Sequence, residues 1–308
     1  MKILCFGSLN IDYTYKVRHF VRKGETLAAD SLRRFSGGKG LNQSVAMAKA
    51  GAFVWHAGAV GEDGIFLIRQ LEAAGVHTEF IRILKDAGTG HAIIQNDTEG
   101  DNCILLYGGA NRMISEEQMD EALAGFGPGD FLVLQNEING IPELMEKAHA
   151  RKMKIVFNPS PMEKEIMKAP LEYVDIFMVN QLEAAQILGV SGPGAEKPEE
   201  LMKGLKSRFP GSSVVLTLGE QGAMYGDSRS TLFQPAEKVT AVDTTGAGDT
   251  FAGYFTAGMA EGLSPEEAMK LAAKASAAAV TRPGASASIP ERRELDSMEV
   301  FKDSVMKN

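Results

Sequence analysis

The sequence predicts an α/β fold: a mostly parallel central sheet flanked by helices, with a small second β-sheet projecting from that body. Short runs rich in Val, Ile and Leu, such as 131–135 and 176–179, alternate with helical stretches, as parallel strands covered on both faces do. Two long alanine-rich helical stretches, 247–261 and 265–280, close the alternation. Extended segments at about 11–35 and 88–108 do not fit the rhythm and read as a separate small sheet.

In chain order, 2–6 is an apolar strand ended by Gly7. Residues 11–17 partly alternate, and 26–35 do so less regularly. Leu41, Val45 and Ala48 share one helical face in 39–50, which Gly51 stops. Strand 53–60 is followed by helix 63–74. Strands 91–96 and 103–107 flank Thr98-Glu-Gly-Asp101, a hairpin signal. Then come helix 116–124, strand 131–135, helix 142–150, strand 154–157, strand 176–179, helix 182–188, helix 198–209 and strand 213–218. The Gly/Pro-rich stretch 189–198 reads as an exposed connection, and the small residues of 272–279 imply close helix packing. One domain is expected over 1–308, with a lid formed by the two extended segments that covers a cleft, joins a second copy, or both.

The 308 residues are 44% apolar and 23% charged, a composition that supports a large core. A net charge of −8 argues against a nucleic-acid partner. Cys5 and Cys103 sit in apolar strand-like runs and read as buried free thiols. The five histidines form no zinc-binding spacing. With no signal-like start and no membrane-length apolar run, a cytoplasmic enzyme off the membrane is expected.

The most informative segment is Asp243-Thr-Thr-Gly-Ala-Gly-Asp-Thr-Phe251. Gly246, Ala247 and Gly248 lead into a helix whose first turn carries unpaired N–H groups and a positive dipole end. Small residues there let an anion approach the backbone, and Asp249 sets a carboxylate beside it. An anion hole with a base is what phosphoryl transfer to a hydroxyl requires. Taken alone, the segment is also a glycine-rich helix cap.

Ligands of open α/β sheets bind beyond the carboxyl ends of the strands. Asn10 and Asp12 follow the first strand and share a face. With Lys39, Asn42 and Glu137 they offer donors and acceptors for several neighbouring hydroxyls, as a sugar needs. Alone, Asn-x-Asp is a turn signal. Gly37-Gly-Lys-Gly-Leu-Asn42 lacks the spacing and the Ser/Thr of a Walker A loop. Gly246-x-Gly248 half-matches a dinucleotide fingerprint, but it comes late and Asp249 would face a pyrophosphate, so hydride transfer is set aside. Asn180 and Glu183 suit either a capping box or outer-shell support of a phosphate-bound Mg²⁺. Thr217 and Gly219 end a strand, and Arg282-Pro-Gly284 with Ser286 and Ser288 is a turn with exposed carbonyls.

Together, Gly37-Gly-Lys-Gly-Leu-Asn-Gln-Ser-Val45 and the 243–251 segment resemble the ribokinase family of sugar kinases, also called the PfkB family, over nearly the whole chain. The resemblance implies a ribokinase-like three-layer sandwich, a β lid that also makes a homodimer, and ATP-dependent phosphorylation of a sugar hydroxyl. It matches Asp249 to the family's base, Gly246, Ala247 and Gly248 to its anion hole, and Asn10, Asp12, Gly38, Lys39, Asn42 and Glu137 to its sugar contacts. Asn180, Glu183, Thr217, Gly219 and Gly222 match its ATP and Mg²⁺ region. A monovalent-cation site, implying activation by K⁺, would fall on Asp243, Thr245, Ala279, Arg282, Gly284 and Ser288, partly through carbonyls. Segments 7–12, 37–42 and 281–285 are most similar to those of ribose-phosphorylating members; deoxyribose, a hexose such as fructose, or a nucleoside are the alternatives, with a non-catalytic sugar-binding regulator more remote. Leu41, where the family usually has alanine, His91, where it usually has an aliphatic residue, and Pro283, where a polar residue is common, depart from the pattern. Leu41 and His91 are expected in the pocket wall.

Overall fold

A computed structural model describes residues 1–192 and 197–295. The expected connection at 189–198 and the end of the domain expected over 1–308 therefore fall partly outside the described residues. The strands are β1 (Lys2–Phe6), β2 (Asn10–Lys16), β3 (Ser31–Gly37), β4 (Phe53–Gly61), β5 (His77–Leu84), β6 (Gly90–Asn96), β7 (Asn102–Tyr107), β8 (Phe131–Gln135), β9 (Lys154–Asn158), β10 (Ile176–Asn180), β11 (Ser213–Thr217), β12 (Gly222–Gly226) and β13 (Thr231–Pro235). The helices are α1 (Lys39–Lys49), α2 (Ile65–Ala73), α3 (Glu116–Leu123), α4 (Ile141–Ala150), α5 (Gln181–Leu188), α6 (Pro198–Arg208), α7 (Ala247–Glu261) and α8 (Pro265–Val280).

Nine strands form the main sheet, in the order β13-β12-β11-β10-β9-β8-β1-β4-β5. All neighbours are parallel except at β12 and β13. Alternation along β1 divides the core: Ile3 and Cys5 face a layer built with α1, α2, α7 and α8, whereas Leu4 and Phe6 face one built with α3 to α6. Removing the ring of the fully buried Phe6 would cost about 3–5 kcal/mol. β1 pairs with β4 on one side and β8 on the other, so the strand order reverses at β1 and leaves a crevice beyond its carboxyl end.

The crossing of α1 and α7 is tight because Gly253 has no side chain. A Cβ there would press on Ala46 and lie 2.9 Å from the Gln43 carbonyl oxygen. The small residues of α8 pack on α7 as expected, with Ala272, Ala275 and Ala278 buried.

The small sheet runs β3-β2-β6-β7, with β2 and β6 parallel and the other pairs antiparallel. Asp97 Oδ1 closes the β6–β7 turn by accepting from the N–H groups of Glu99 and Asp101, both at 2.9 Å. Every residue of β7 is exposed, including Leu105 and Leu106.

Several expectations need correction. Cys5 is buried, but Cys103 lies on exposed β7. Residues 26–30 are not strand, so β3 begins only at Ser31. β5, β12 and β13 were not anticipated. Leu41 is fully buried in the core rather than in a pocket wall. His91 stands opposite Ile11, between the rings of Tyr13 and Tyr107, so strand alternation turns it to the face opposite Asp12. No helix among the described residues is long and apolar enough to cross a membrane.

Candidate functional site

The site begins where glycines let backbone meet backbone. Gly38 caps α1 with φ 95°, a left-handed conformation, and a Cβ on it would lie 2.8 Å from the Ser8 carbonyl oxygen. One on Gly40 would meet Gly7 and Ser8 at 2.5–2.6 Å. The GGKG run therefore lies directly on the Gly7–Ser8 backbone leaving β1. Leu41 N–H donates to Ser8 O at 3.0 Å. Glu137, beyond β8, accepts from the Ser8 hydroxyl and from Lys39 N–H (3.0 Å), joining three segments at one carboxylate.

Asn10 and Asp12 sit on β2 above this junction. Asn10 Oδ1 accepts from Asn111 Nδ2 at 2.7 Å, while Asn111 Oδ1 takes Leu9 N–H at 3.0 Å. Asn111, buried and far along the chain, carried no motif in the sequence. The Asp12 carboxylate has no hydrogen-bond partner among the described residues and presses against Gly37, where a Cβ would collide with it. Burial, reinforced by the charge of Glu137, pushes the Asp12 carboxyl up to about 7.

Gly246, at φ 75°, caps α7. Ala247 N–H donates to Thr244 O at 3.2 Å, whereas the N–H groups of Gly246, Gly248 and Asp249 have no partner within the described residues. Space in front of Gly248 is open, since a Cβ there would touch nothing within 4 Å. Asp249 is buried, and its two oxygens accept from Asn42 Nδ2 (2.9 Å) and Gln43 Nε2 (3.0 Å) on α1. Asn42 Oδ1 remains buried without a partner among the described residues.

Two adjoining cavities open from this helix start. One, of about 150 Å³, is lined by Lys39, Asn158, Asn180, Glu183, Thr217 and the 246–249 turn. Burial alone would lower the Lys39 ammonium, but the carboxylates of Asp249, Glu137 and Glu183 outweigh it and hold the group above the usual lysine range. This cation and the free N–H groups suit the cavity to an anion. Asn180 and Glu183 form the capping box of α5, with both reciprocal bonds present. Glu183 uses Oε2 for this at 3.0 Å. Its Oε1 has no partner within the described residues.

The second cavity, of about 620 Å³, has a largely apolar wall that includes Val239, Phe251, Ala273, Ala277 and Val280. Thr217, Gly219 and Gly222 form its other side. Gly222, at φ 121°, permits close passage of the 234–236 backbone. Apart from Phe251, which ends the 243–251 motif, this wall comes from the 239 loop and from an α8 face that carries no motif, so the sequence did not mark it.

Asp243 ties two loops together: Oδ1 accepts from Thr245 N–H and Oδ2 from Gly284 N–H, both at 2.9 Å. The Ala279 carbonyl takes Arg282 N–H at 3.1 Å, and Ser288 Oγ donates to Ala285 O at 2.8 Å. The Arg282 guanidinium pairs with Glu294, leaving only its backbone toward the loop. Ser286, buried in the same loop, meets Ser36 Oγ of β3 at 2.9 Å and accepts from Gln70 Nε2 at 2.7 Å. Among the described residues, no three His, Cys, Asp or Glu side chains gather as a metal cluster.

A carboxylate at a helix start, an adjoining anion cavity and an apolar cavity beyond it can orient a hydroxyl toward a bound polyphosphate. Residues 1–292 match the family of pfkB carbohydrate kinases. A ribokinase of Staphylococcus aureus (strain COL) is 33% identical over 306 residues, covering 96% of this chain and 99% of that protein. A deoxyribokinase of Salmonella typhi is 30% identical over 313 residues, with both chains fully covered. The crystal structure of a ribokinase from Cryptococcus neoformans var. grubii serotype A in complex with ADP superposes with a TM-score of 0.87 at 33% identity, covering 96% of this chain and 98% of that one.

Proposed function

Because the chain belongs to the pfkB family of carbohydrate kinases, phosphotransferases acting on a sugar hydroxyl, we propose that it transfers the γ-phosphate of ATP to the primary hydroxyl of D-ribose, giving ribose 5-phosphate. The observation that carries this reading is the Asp249 carboxylate, fixed by Asn42 and Gln43 beside the free N–H groups that start α7. Asp249 accepts the hydroxyl proton as the oxygen attacks. The transition state is loose, so positioning and charge stabilisation matter more than base strength. The backbone at Gly246, Ala247 and Gly248 forms the anion hole. Of its donors, the N–H groups of Gly246 and Gly248, with that of Asp249, are free to face the transferring phosphoryl.

Asn10, Asp12, Gly38, Lys39, Asn42 and Glu137 hold the sugar. Two of them offer unpartnered acceptors, the Asp12 carboxylate and Asn42 Oδ1, which suits hydroxyl donors. Lys39 also faces the anion cavity and spans both substrates. Thr217, Gly219 and Gly222 border the cavity assigned to the adenosine, with Asn180 and Glu183 at its phosphate end. The unpartnered Glu183 oxygen fits a water-bridged Mg²⁺, which would neutralise phosphate charge. Asp243, with carbonyls at Thr245, Ala279, Arg282 and Gly284 and the Ser288 hydroxyl, fits a monovalent cation, K⁺ in this reading. The protein is taken as one kinase domain in the cytoplasm, dimerising through the exposed apolar face of its lid, with no nucleic-acid partner.

The test is ADP release with Mg·ATP and K⁺ across ribose, deoxyribose, fructose and adenosine. Selective turnover of ribose is expected, with kcat lowered about 10²–10⁴-fold in Asp249→Asn. The deoxyribokinase relative makes deoxyribose the second reading. Preferred turnover of deoxyribose would reassign the sugar, and wild-type kcat in Asp249→Asn would remove the base.

A further inference from the structure

We propose that Gln43 and Gln135 form a positioning relay that fixes the orientation of the Asp249 carboxylate. The proposal rests on Asp249 being the base. Gln43 lies on α1 and donates through Nε2 to Asp249 Oδ1 at 3.0 Å. An amide presents a donor at one end and an acceptor at the other. Turned over, Gln43 would set its oxygen against a carboxylate oxygen and lose the bond. Something must therefore decide which way the amide faces.

Gln135, the last residue of β8, decides it. Its Nε2 donates to Gln43 Oε1 at 2.7 Å, so the Gln43 amide group can only point to Asp249. The other contacts of Gln135 do not select this orientation for their own sake. Nε2 lies 3.6 Å from the weak acceptor Cys5 Sγ, and Oε1 is buried against Gly7 with no hydrogen-bond partner among the described residues. An orphaned buried acceptor costs stability. The fold tolerates that cost in an orientation whose one strong bond runs toward the base. All three side chains are buried, so solvent cannot substitute for a missing partner.

The titratable groups around position 135 are Cys5 on β1, His56 on β4, Asp249 on α7, and Lys39 and Glu137 at the mouth. Burial pushes the Cys5 thiol up to about 11 and His56 down to about 4. His56 is therefore neutral, donating Nε2–H to Gly7 O at 3.2 Å and accepting from Ser44 Oγ at 2.8 Å. Neither titrates between about pH 5 and 9, and Asp12, which does, is present in wild type too, so a pH limb seen only in Gln135→Glu belongs to the carboxyl placed at 135.

The experiment compares kcat against pH at saturating sugar and Mg·ATP for wild type, Gln135→Glu, Gln135→Met and Asp249→Asn. In Gln135→Glu, the protonated carboxyl donates to Gln43 Oε1 and kcat survives at low pH. Once ionised, the carboxylate draws the Gln43 amide group to itself, turns its oxygen to Asp249, and lowers kcat by about ten- to a hundredfold as pH rises. Gln135→Met, of similar size but unable to donate, loses a comparable factor at every pH with little change in sugar KM. A purely structural role would shift the unfolding midpoint without a new pH limb. Wild-type kcat in Gln135→Met, or a Gln135→Glu profile parallel to wild type, would overturn the relay. Asp249→Asn separates the premise: full activity there means Asp249 is not the base, and the relay falls with it.

Discussion

Asp12 gives the sharpest test of the sugar site, because its environment opposes the state that binds best. A carboxylate accepts from two neighbouring hydroxyls, whereas a carboxyl must spend one oxygen as a donor. Burial and Glu137 raise the Asp12 carboxyl from 3.8 to about 7. The ionised fraction of the free enzyme then climbs from about one-eleventh at pH 6 to about ten-elevenths at pH 8. If the ionised form captures the sugar, kcat/KM for sugar rises about tenfold over that interval, while kcat at saturating sugar changes less. Asp12→Asn should lower kcat/KM at pH 8 and abolish the slope. The linkage has a second face. With its folded pKa above its unfolded one, this group's contribution to stability is complete below about pH 3.8 and is lost as pH rises through 7. Asp12→Asn should therefore be no less stable than wild type at pH 8. Coupled ADP-release rates at subsaturating sugar and saturating Mg·ATP read the first effect, and denaturant titrations the second. A flat wild-type kcat/KM between pH 6 and 8, or a slope that persists in Asp12→Asn, would refute the assignment.

Gly248→Val should fill the open space before the anion hole, lowering kcat by about two orders of magnitude while the unfolding midpoint stays near wild type; normal turnover would place the phosphoryl elsewhere. Gly253→Val should force α1 from α7, destabilising the fold by about 1–3 kcal/mol in urea titration, and no loss would mean that the crossing can open to admit a side chain. Exchanging K⁺ for Na⁺ should reduce kcat, and identical rates would remove the cation from the loop around Asp243. Leu105→Lys on exposed β7 should shift the mass measured by light scattering from dimer to monomer, whereas an unchanged mass would move the interface off this face.

The sequence exposed those parts of the fold where one local pattern decides the outcome. β1, β8, α7 and α8 were read with the bounds they have, because an apolar run or a small-residue helix ended by a turn residue is a strong signal. β5 escaped because it borders the sheet and mixes polar with adjacent apolar residues: Thr78, Glu79 and Arg82 interrupt Phe80, Ile81 and Ile83, so no period of two appears. β12 is framed by Gly222 and Gly226, which hide both of its ends. In the site, residues carried by compact motifs, Lys39, Asn42 and Asp249, were legible. Two buried side chains that reach the site from elsewhere in the fold were not. Gln135 meets Gln43 across 92 positions and Asn111 meets Asn10 across 101, and no local pattern announces such a meeting. Leu41 and His91 failed as pocket markers for a simpler reason. Departure from a family pattern says nothing about which way a side chain points.

The hydroxyl of Ser286 touches Ser36, the residue just before Gly37, against which the Asp12 carboxylate rests. The loop around Asp243 and β3, beside the proposed sugar site, thus share a hydrogen bond, and in this reading whatever steadies one steadies the other. Coupling of this kind is reciprocal: an ion that tightens the loop raises sugar affinity by some factor, and bound sugar raises ion affinity by that same factor. Calorimetric titration of potassium with and without sugar measures that factor, and equal ion affinities would mean the two regions are independent. A single pair of serines would then make the ionic make-up of the surroundings a dial on how tightly sugar is held, and the supply of sugar a dial on how firmly the ion stays.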